Sequence, residues 1–120
     1  MSSFTNQVAF VSGAGSGIGR ATAVAFAAAG ASVVVSDIND ANGQATVEQI
    51  RQAGGTASYL RCDVADPEQH NAAVANAVST YGRLDVAVNN AGIGGRFARL
   101  LDQTPRDWEQ MMAVNLGSVF

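Results

Sequence analysis

Four glycines at alternate positions, Gly13, Gly15, Gly17 and Gly19, precede an acid, Asp37, that stands eighteen residues beyond the last of them. A backbone with so few Cβ atoms takes unusual φ and ψ at low cost and lets a bulky anion approach the main chain. A helix starting near Gly17 turns its unpaired N–H groups and the positive end of its dipole toward that anion, so the chemistry on offer is phosphate binding. A carboxylate at the end of the following strand suits the hydroxyls of a ribose. The spacing is not G-x-G-x-x-G: from Gly13 the last position is Ile18, and from Gly15 it is Arg20. It is G-x-x-x-G-x-G, with Ser12 in front.

These residues need a strand before them and a helix and strand after. Val8–Val11 is a short apolar run, and the Ala-rich stretch from Gly17 to Ala29 has Ile18, Ala21, Ala25, Phe26 and Ala29 at helical spacing, which predicts one apolar face. Gly30 stops that helix. Val33–Val35 lacks alternation, as expected of a strand covered on both faces. A helix follows over Asn39–Gly54, capped by Asn39 or Asp40, with Val47 and Ile50 inward. Ala57–Cys62 reads as a third strand. Asp66-Pro67 is an N-cap followed by proline at the first helical position; Val74, Ala77, Val78 and Tyr81 then mark an inward face, and Gly82 closes the helix. Leu84–Val88 is a fourth strand, and a further helix begins at Thr104-Pro105. This alternation predicts a Rossmann-type, doubly wound α/β fold: a parallel sheet with right-handed crossovers, four strands in order 3-2-1-4, and one domain over residues 1–120.

Composition narrows the function. Of 120 residues, 48% are hydrophobic and 14% charged, which is globular. The net charge of −3 argues against a nucleic-acid surface. Cys62 is the single cysteine, so no disulfide framework or thiolate metal cluster is expected; it reads as a small buried hydrophobe. No metal site is expected: His70 has no ligand-type partner. The uncharged run between Arg20 and Asp37 is broken by Gly30 and Ser32 and is too short for a membrane span. The first residues carry no basic segment followed by an apolar one, so no signal peptide is expected and the cytoplasm is the default.

The chain resembles the short-chain dehydrogenase/reductase family at several independent motifs. Beyond the glycine turn, Gly82-Arg83-Leu84-Asp85-Val86-Ala87-Val88-Asn89-Asn90-Ala91-Gly92-Ile93 is similar to the family's fourth-strand signature. Asp63-Val64 resembles its adenine pocket, and Val114-Asn115-Leu116 the start of its active-site helix. The resemblance implies hydride transfer between a nicotinamide cofactor and a small alcohol or ketone. Its cofactor contacts fall on Gly13, Ser16, Gly17, Ile18, Gly19, Asp37, Ile38, Asp63, Val64, Asn89, Ala91 and Gly92, and Asn115 supports the proton relay. NAD is expected over NADP, because Asp37 would repel a 2′-phosphate and Ser16 stands where NADP-using relatives often carry a basic residue. Arg20 reads as readily as a surface residue, and Asp85 as structural. A homo-oligomer is implied by resemblance alone.

The reacting pair of that family, Tyr-x-x-x-Lys, is missing. Tyr59 and Tyr81 are followed four residues later by Asp63 and Asp85, and the chain contains no lysine. It therefore reads as the N-terminal part of such an enzyme, ending within the helix after strand four and inactive by itself. The alternatives are a non-catalytic NAD-binding or assembly module and a methyltransferase; the complete Asn-Asn-Ala-Gly signature argues against the latter.

Overall fold

The computed structural model describes residues 4–63, 66–88, 105 and 106. Within them the order is β1 (Val8–Val11), α1 (Gly17–Ala28), β2 (Ser32–Asp37), α2 (Asp40–Gln52), β3 (Thr56–Arg61), α3 (Pro67–Tyr81) and β4 (Val86–Val88). The strands form one sheet in the order β3-β2-β1-β4. All three pairings are parallel: Ala9 lies beside Val33 and Val86, and Val33 beside Ala57. The crossover helices let successive parallel strands sit side by side. The expected topology is thus the observed one. β3 begins and ends one residue earlier than the apolar run suggests, and β4 is only three residues long.

Alternation along the strands splits the core between two faces. Ala9, Val11, Val33, Val35 and Ala57 pack against Ala23 of α1 and Val47 and Ile50 of α2. Phe10, Val34 and Cys62 pack against Ala73 and Ala77 of α3. The valines of β2 are wholly buried because both faces are covered.

Two expected helix faces are right only in part: Phe26 of α1 and Ala77 and Tyr81 of α3 do pack against the core, but their companions do not. On α1 the buried residues are Gly19 and Ala23, whereas Ile18 is 79% exposed and Ala21 and Ala25 are exposed. On α3 they are Ala73 and Ala77, whereas Val74 and Val78 are 49% and 46% exposed. Ile18, Val74 and Val78 each lie one position, about 100° of helix rotation, from a buried small residue, and Ala21 and Ala25 lie two positions from one. A helix that packs close to a sheet puts its smallest residues at the contact, so the larger apolar side chains fall to the flank. Cys62 is buried, as expected.

Candidate functional site

The glycine turn joins β1 to α1 at the carboxyl end of the sheet. Its glycines do different work. Gly13 and Gly17 have φ of 63° and 56°, the left-handed region that a side chain resists. At Gly15 the constraint is space: a Cβ there would lie 2.7 Å from Asp37 Oδ2 and 2.9 Å from Asn42 Cβ. Gly19 is buried on the sheet side of α1. Ser12 ties the turn to β4, its N–H donating to Val88 O at 3.1 Å.

Helix α1 starts without help from a side chain. Ser16 is its N-cap in extended geometry, but its hydroxyl makes no capping bond, and Ser16, Gly17 and Ile18 are exposed. The starts of α2 and α3 are closed. Asn39 Oδ1 accepts from Asn42 N at 2.9 Å, and Asp66 Oδ1 accepts from Glu68 N at 3.0 Å.

Asp37, at the end of β2, stands over the turn. Its Oδ2 accepts from Gly15 N at 2.8 Å and its Oδ1 from Asn39 N at 2.9 Å. An ionised carboxylate offers about four lone-pair sites, so acceptor capacity remains for further donors. Ile38, next in the chain, is 62% exposed. Asp63 follows the end of β3, where Cys62 N donates to Asp37 O at 3.3 Å; the Asp63 N–H donates to Gln69 Oε1 at 2.7 Å. The structure thus brings Gly13, Ser16, Gly17, Ile18, Gly19, Asp37, Ile38 and Asp63 to one end of the sheet. Val64, Asn89, Ala91, Gly92 and Asn115 lie outside the described residues; of the helix expected from Thr104-Pro105, Pro105 and Arg106 are described and are helical.

Three residues behind the turn escape a reading of motifs. Arg20 is not a free surface charge: its Nε donates to Thr46 Oγ1 at 2.9 Å, and its Nη2 donates to Gly15 O and Asn42 O. Thr46, fully buried, donates to Ala14 O at 2.8 Å. Tyr59 sets its ring where Gly43 leaves room, since a Cβ on Gly43 would come within 2.1 Å of it. The Tyr59 hydroxyl lies 2.6 Å from Asp40 Oδ1 and 2.9 Å from Asp37 O, and burial, together with the Asp40 carboxylate, pushes its ionisation well above the usual tyrosine range. Neither tyrosine is offered to the site, since the Tyr81 hydroxyl is bonded to Ser58 Oγ at 3.1 Å. Asp85 is an anchor: its Oδ2 accepts from Val8 N at 2.8 Å, and Arg83 holds its carboxyl below the usual range. Among the described residues no group of His, Cys, Asp and Glu side chains is arranged to hold a metal ion, and no helix is long and apolar enough to cross a membrane.

A parallel sheet in order 3-2-1-4, with a glycine turn and an acid at its carboxyl end, is shared by many nucleotide-binding proteins. The family is decided by comparison: the model for short chain dehydrogenase matches residues 7–120. The chain belongs to that family. Cyclohexanol dehydrogenase of Acinetobacter sp. (strain SE19) is 46% identical over 117 residues, 98% of this chain and 47% of that protein. The 7alpha-hydroxysteroid dehydrogenase of Escherichia coli (strain K12) is 42% identical over 114 residues, 95% of this chain and 44% of that protein. A metagenomic short-chain oxidoreductase solved in complex with NADP superposes with a TM-score of 0.92 at 37% identity, covering 98% of this chain and 53% of that one. This short-chain dehydrogenase chain therefore spans about half the length of the relatives it matches.

Proposed function

We propose that this chain is the cofactor-holding part of an oxidoreductase that moves a hydride between NAD(H) and an alcohol or carbonyl substrate. The observation that carries the reading is the open start of α1. Alone among the three described helices it lacks a side-chain cap, and the Asp37 carboxylate stands over the same turn. Unpaired N–H groups at a helix start suit a pyrophosphate. A carboxylate with spare acceptor capacity suits ribose hydroxyls.

In this reading Gly13, Ser16, Gly17, Ile18 and Gly19 hold the pyrophosphate, and Asp37 and Ile38 the adenosine. Asp63 and Val64 receive the adenine, with the Asp63 carboxylate accepting from its amino group. The backbone of Asn89, Ala91 and Gly92 lines the nicotinamide ribose, and Asn115 supports the proton relay. When bound, the nicotinamide supplies the hydride acceptor or donor. NAD is favoured over NADP because a 2′-phosphate would meet the Asp37 carboxylate with no basic side chain at Ser16 to receive it. A solved relative at 37% identity holds NADP, so the preference for NAD is argued from these two positions alone.

The relatives' names support an alcohol or carbonyl substrate. Without lysine or a Tyr-x-x-x-Lys pair, residues 1–120 as one domain are expected to bind the cofactor and not turn over. A cytoplasmic homo-oligomer is the accompanying proposal for the whole protein.

Calorimetric titration of the full-length protein with NAD and with NADP tests the reading, followed by NAD reduction with a panel of secondary alcohols. Saturable binding, tighter for NAD, and turnover with at least one alcohol are expected. Equal or tighter NADP binding rejects the cofactor preference, and no heat with either rejects the site. Binding without turnover across the panel favours a non-catalytic module.

A further inference from the structure

The residues behind the glycine turn form a continuous hydrogen-bonded line. Arg20 Nε donates to Thr46 Oγ1 at 2.9 Å, and Thr46 Oγ1 donates to Ala14 O at 2.8 Å. Ala14 O and the Gly15 N–H belong to one peptide group, and that N–H donates to Asp37 Oδ2 at 2.8 Å. The direction is consistent throughout: a guanidinium gives to a hydroxyl, the hydroxyl to a carbonyl, and the amide of that same peptide to a carboxylate. The Thr46 hydroxyl has one proton. It also lies 3.3 Å from Asn42 O, but the shorter bond to Ala14 O takes the proton. Bonds in such a series polarise one another and strengthen together, most of all where water is excluded. Thr46 is fully buried.

The same arginine holds the next peptide. Its Nη2 donates to Gly15 O, so Gly15 is gripped at its N–H by Asp37 and at its carbonyl by Arg20. The absence of a Cβ lets both grips close, since a methyl there would sit 2.7 Å from Asp37 Oδ2. The orientation of Asp37 is thereby joined to two side chains on α1 and α2.

We propose that Thr46 and Arg20 are positioning residues for Asp37: through the Ala14–Gly15 peptide they aim its carboxylate at the 2′-hydroxyl of the adenosine ribose. The proposal rests on the reading that Asp37 receives that ribose. It makes recognition of the 2′-hydroxyl depend on a hydroxyl group buried behind the turn.

The test pairs a change in the protein with a change in the ligand. Dissociation constants for NAD and for 2′-deoxy-NAD are measured by calorimetry on the full-length protein and on its Thr46→Val, Thr46→Ser and Arg20→Met variants. In the unchanged protein, loss of the 2′-hydroxyl weakens binding by about tenfold, the factor carried by a hydrogen bond to a charged group. In T46V and R20M that ratio falls to within about threefold, and in T46S, which keeps the hydroxyl, it stays near tenfold. Each ratio is taken within one folded protein, so a general loss of stability cancels. If T46V does not fold, R20M and T46S still carry the comparison. An undiminished ratio in T46V, or in R20M where T46V is not obtained, overturns the positioning role and leaves the NAD reading intact. No binding of NAD by the unchanged protein overturns both. Binding of NAD with no penalty for 2′-deoxy-NAD overturns the ribose assignment of Asp37 and the positioning role with it.

Discussion

Helices α1 and α3 both begin at the carboxyl end of the sheet, and they begin in opposite ways. The start of α3 is sealed by its own sequence: Asp66 accepts from Glu68 N, Pro67 occupies the first turn without an N–H to satisfy, and Gln69 Nε2 donates back to Asp66 Oδ2 at 3.2 Å. The start of α1 has Ser16 exposed and making no cap bond, with glycines in left-handed geometry on either side. A helix start in a folded protein normally finds partners for its first N–H groups. Where the chain supplies them, the start is structural. Where it leaves them to the outside, it suits the cofactor proposed above, with the Asp37 carboxylate beside it. α2 belongs with α3: Asn39 caps it, and Tyr59 engages Asp40 in its first turn.

The contrast can be tested at each start. The largest effect is expected from Gly17→Ala, whose left-handed φ costs about 1–2 kcal/mol with a side chain present and whose methyl group would stand where the phosphate approaches. NAD affinity should fall by at least about tenfold, the worth of one hydrogen bond to a charged group, while denaturant unfolding shows a loss of only that modest size. An unchanged affinity would mean that the open start of α1 holds no ligand. Asp66→Ala, at the sealed start, should cost about 1 kcal/mol of stability in the same unfolding experiment.

A smaller effect, confined to alkaline solution, is expected at α2. The folded chain keeps the Tyr59 proton that the unfolded chain releases near pH 10, so this contribution is complete below that pH and is lost as pH rises above it. The thermal midpoint should therefore fall less steeply above pH 10 in Tyr59→Phe than in the unchanged protein, and parallel curves would show that Tyr59 is not sequestered. The least effect belongs to Ser16→Ala, which removes no cap bond and should shift stability by under about 0.5 kcal/mol. A cost equal to that of Asp66→Ala would erase the distinction between the two starts.

Much of this was legible in one dimension. Strand–helix alternation, the Asp66-Pro67 cap and the acid at the end of β2 are local signals, each written within a few residues. Their number and order imply a parallel sheet, because a parallel neighbour requires a crossover. The open turn was legible for the same reason, since glycine acts on its own backbone.

Helix faces were less so. Hydrophobicity singles out Ile18, Val74 and Val78, but close approach to the sheet selects Gly19, Ala23 and Ala73, a choice made by distance and not by polarity. Arg20 and Thr46 carry no motif, and Tyr59 fits beside Gly43 only because β3 lies next to α2 in space. The sequence by itself determined that a strand, a glycine turn, a helix and an acid follow one another, because those preferences are properties of neighbouring residues. Only the tertiary structure decided that a buried threonine twenty-six residues from Arg20 joins it to Asp37, because hydrogen bonds between separate helices depend on how those helices pack.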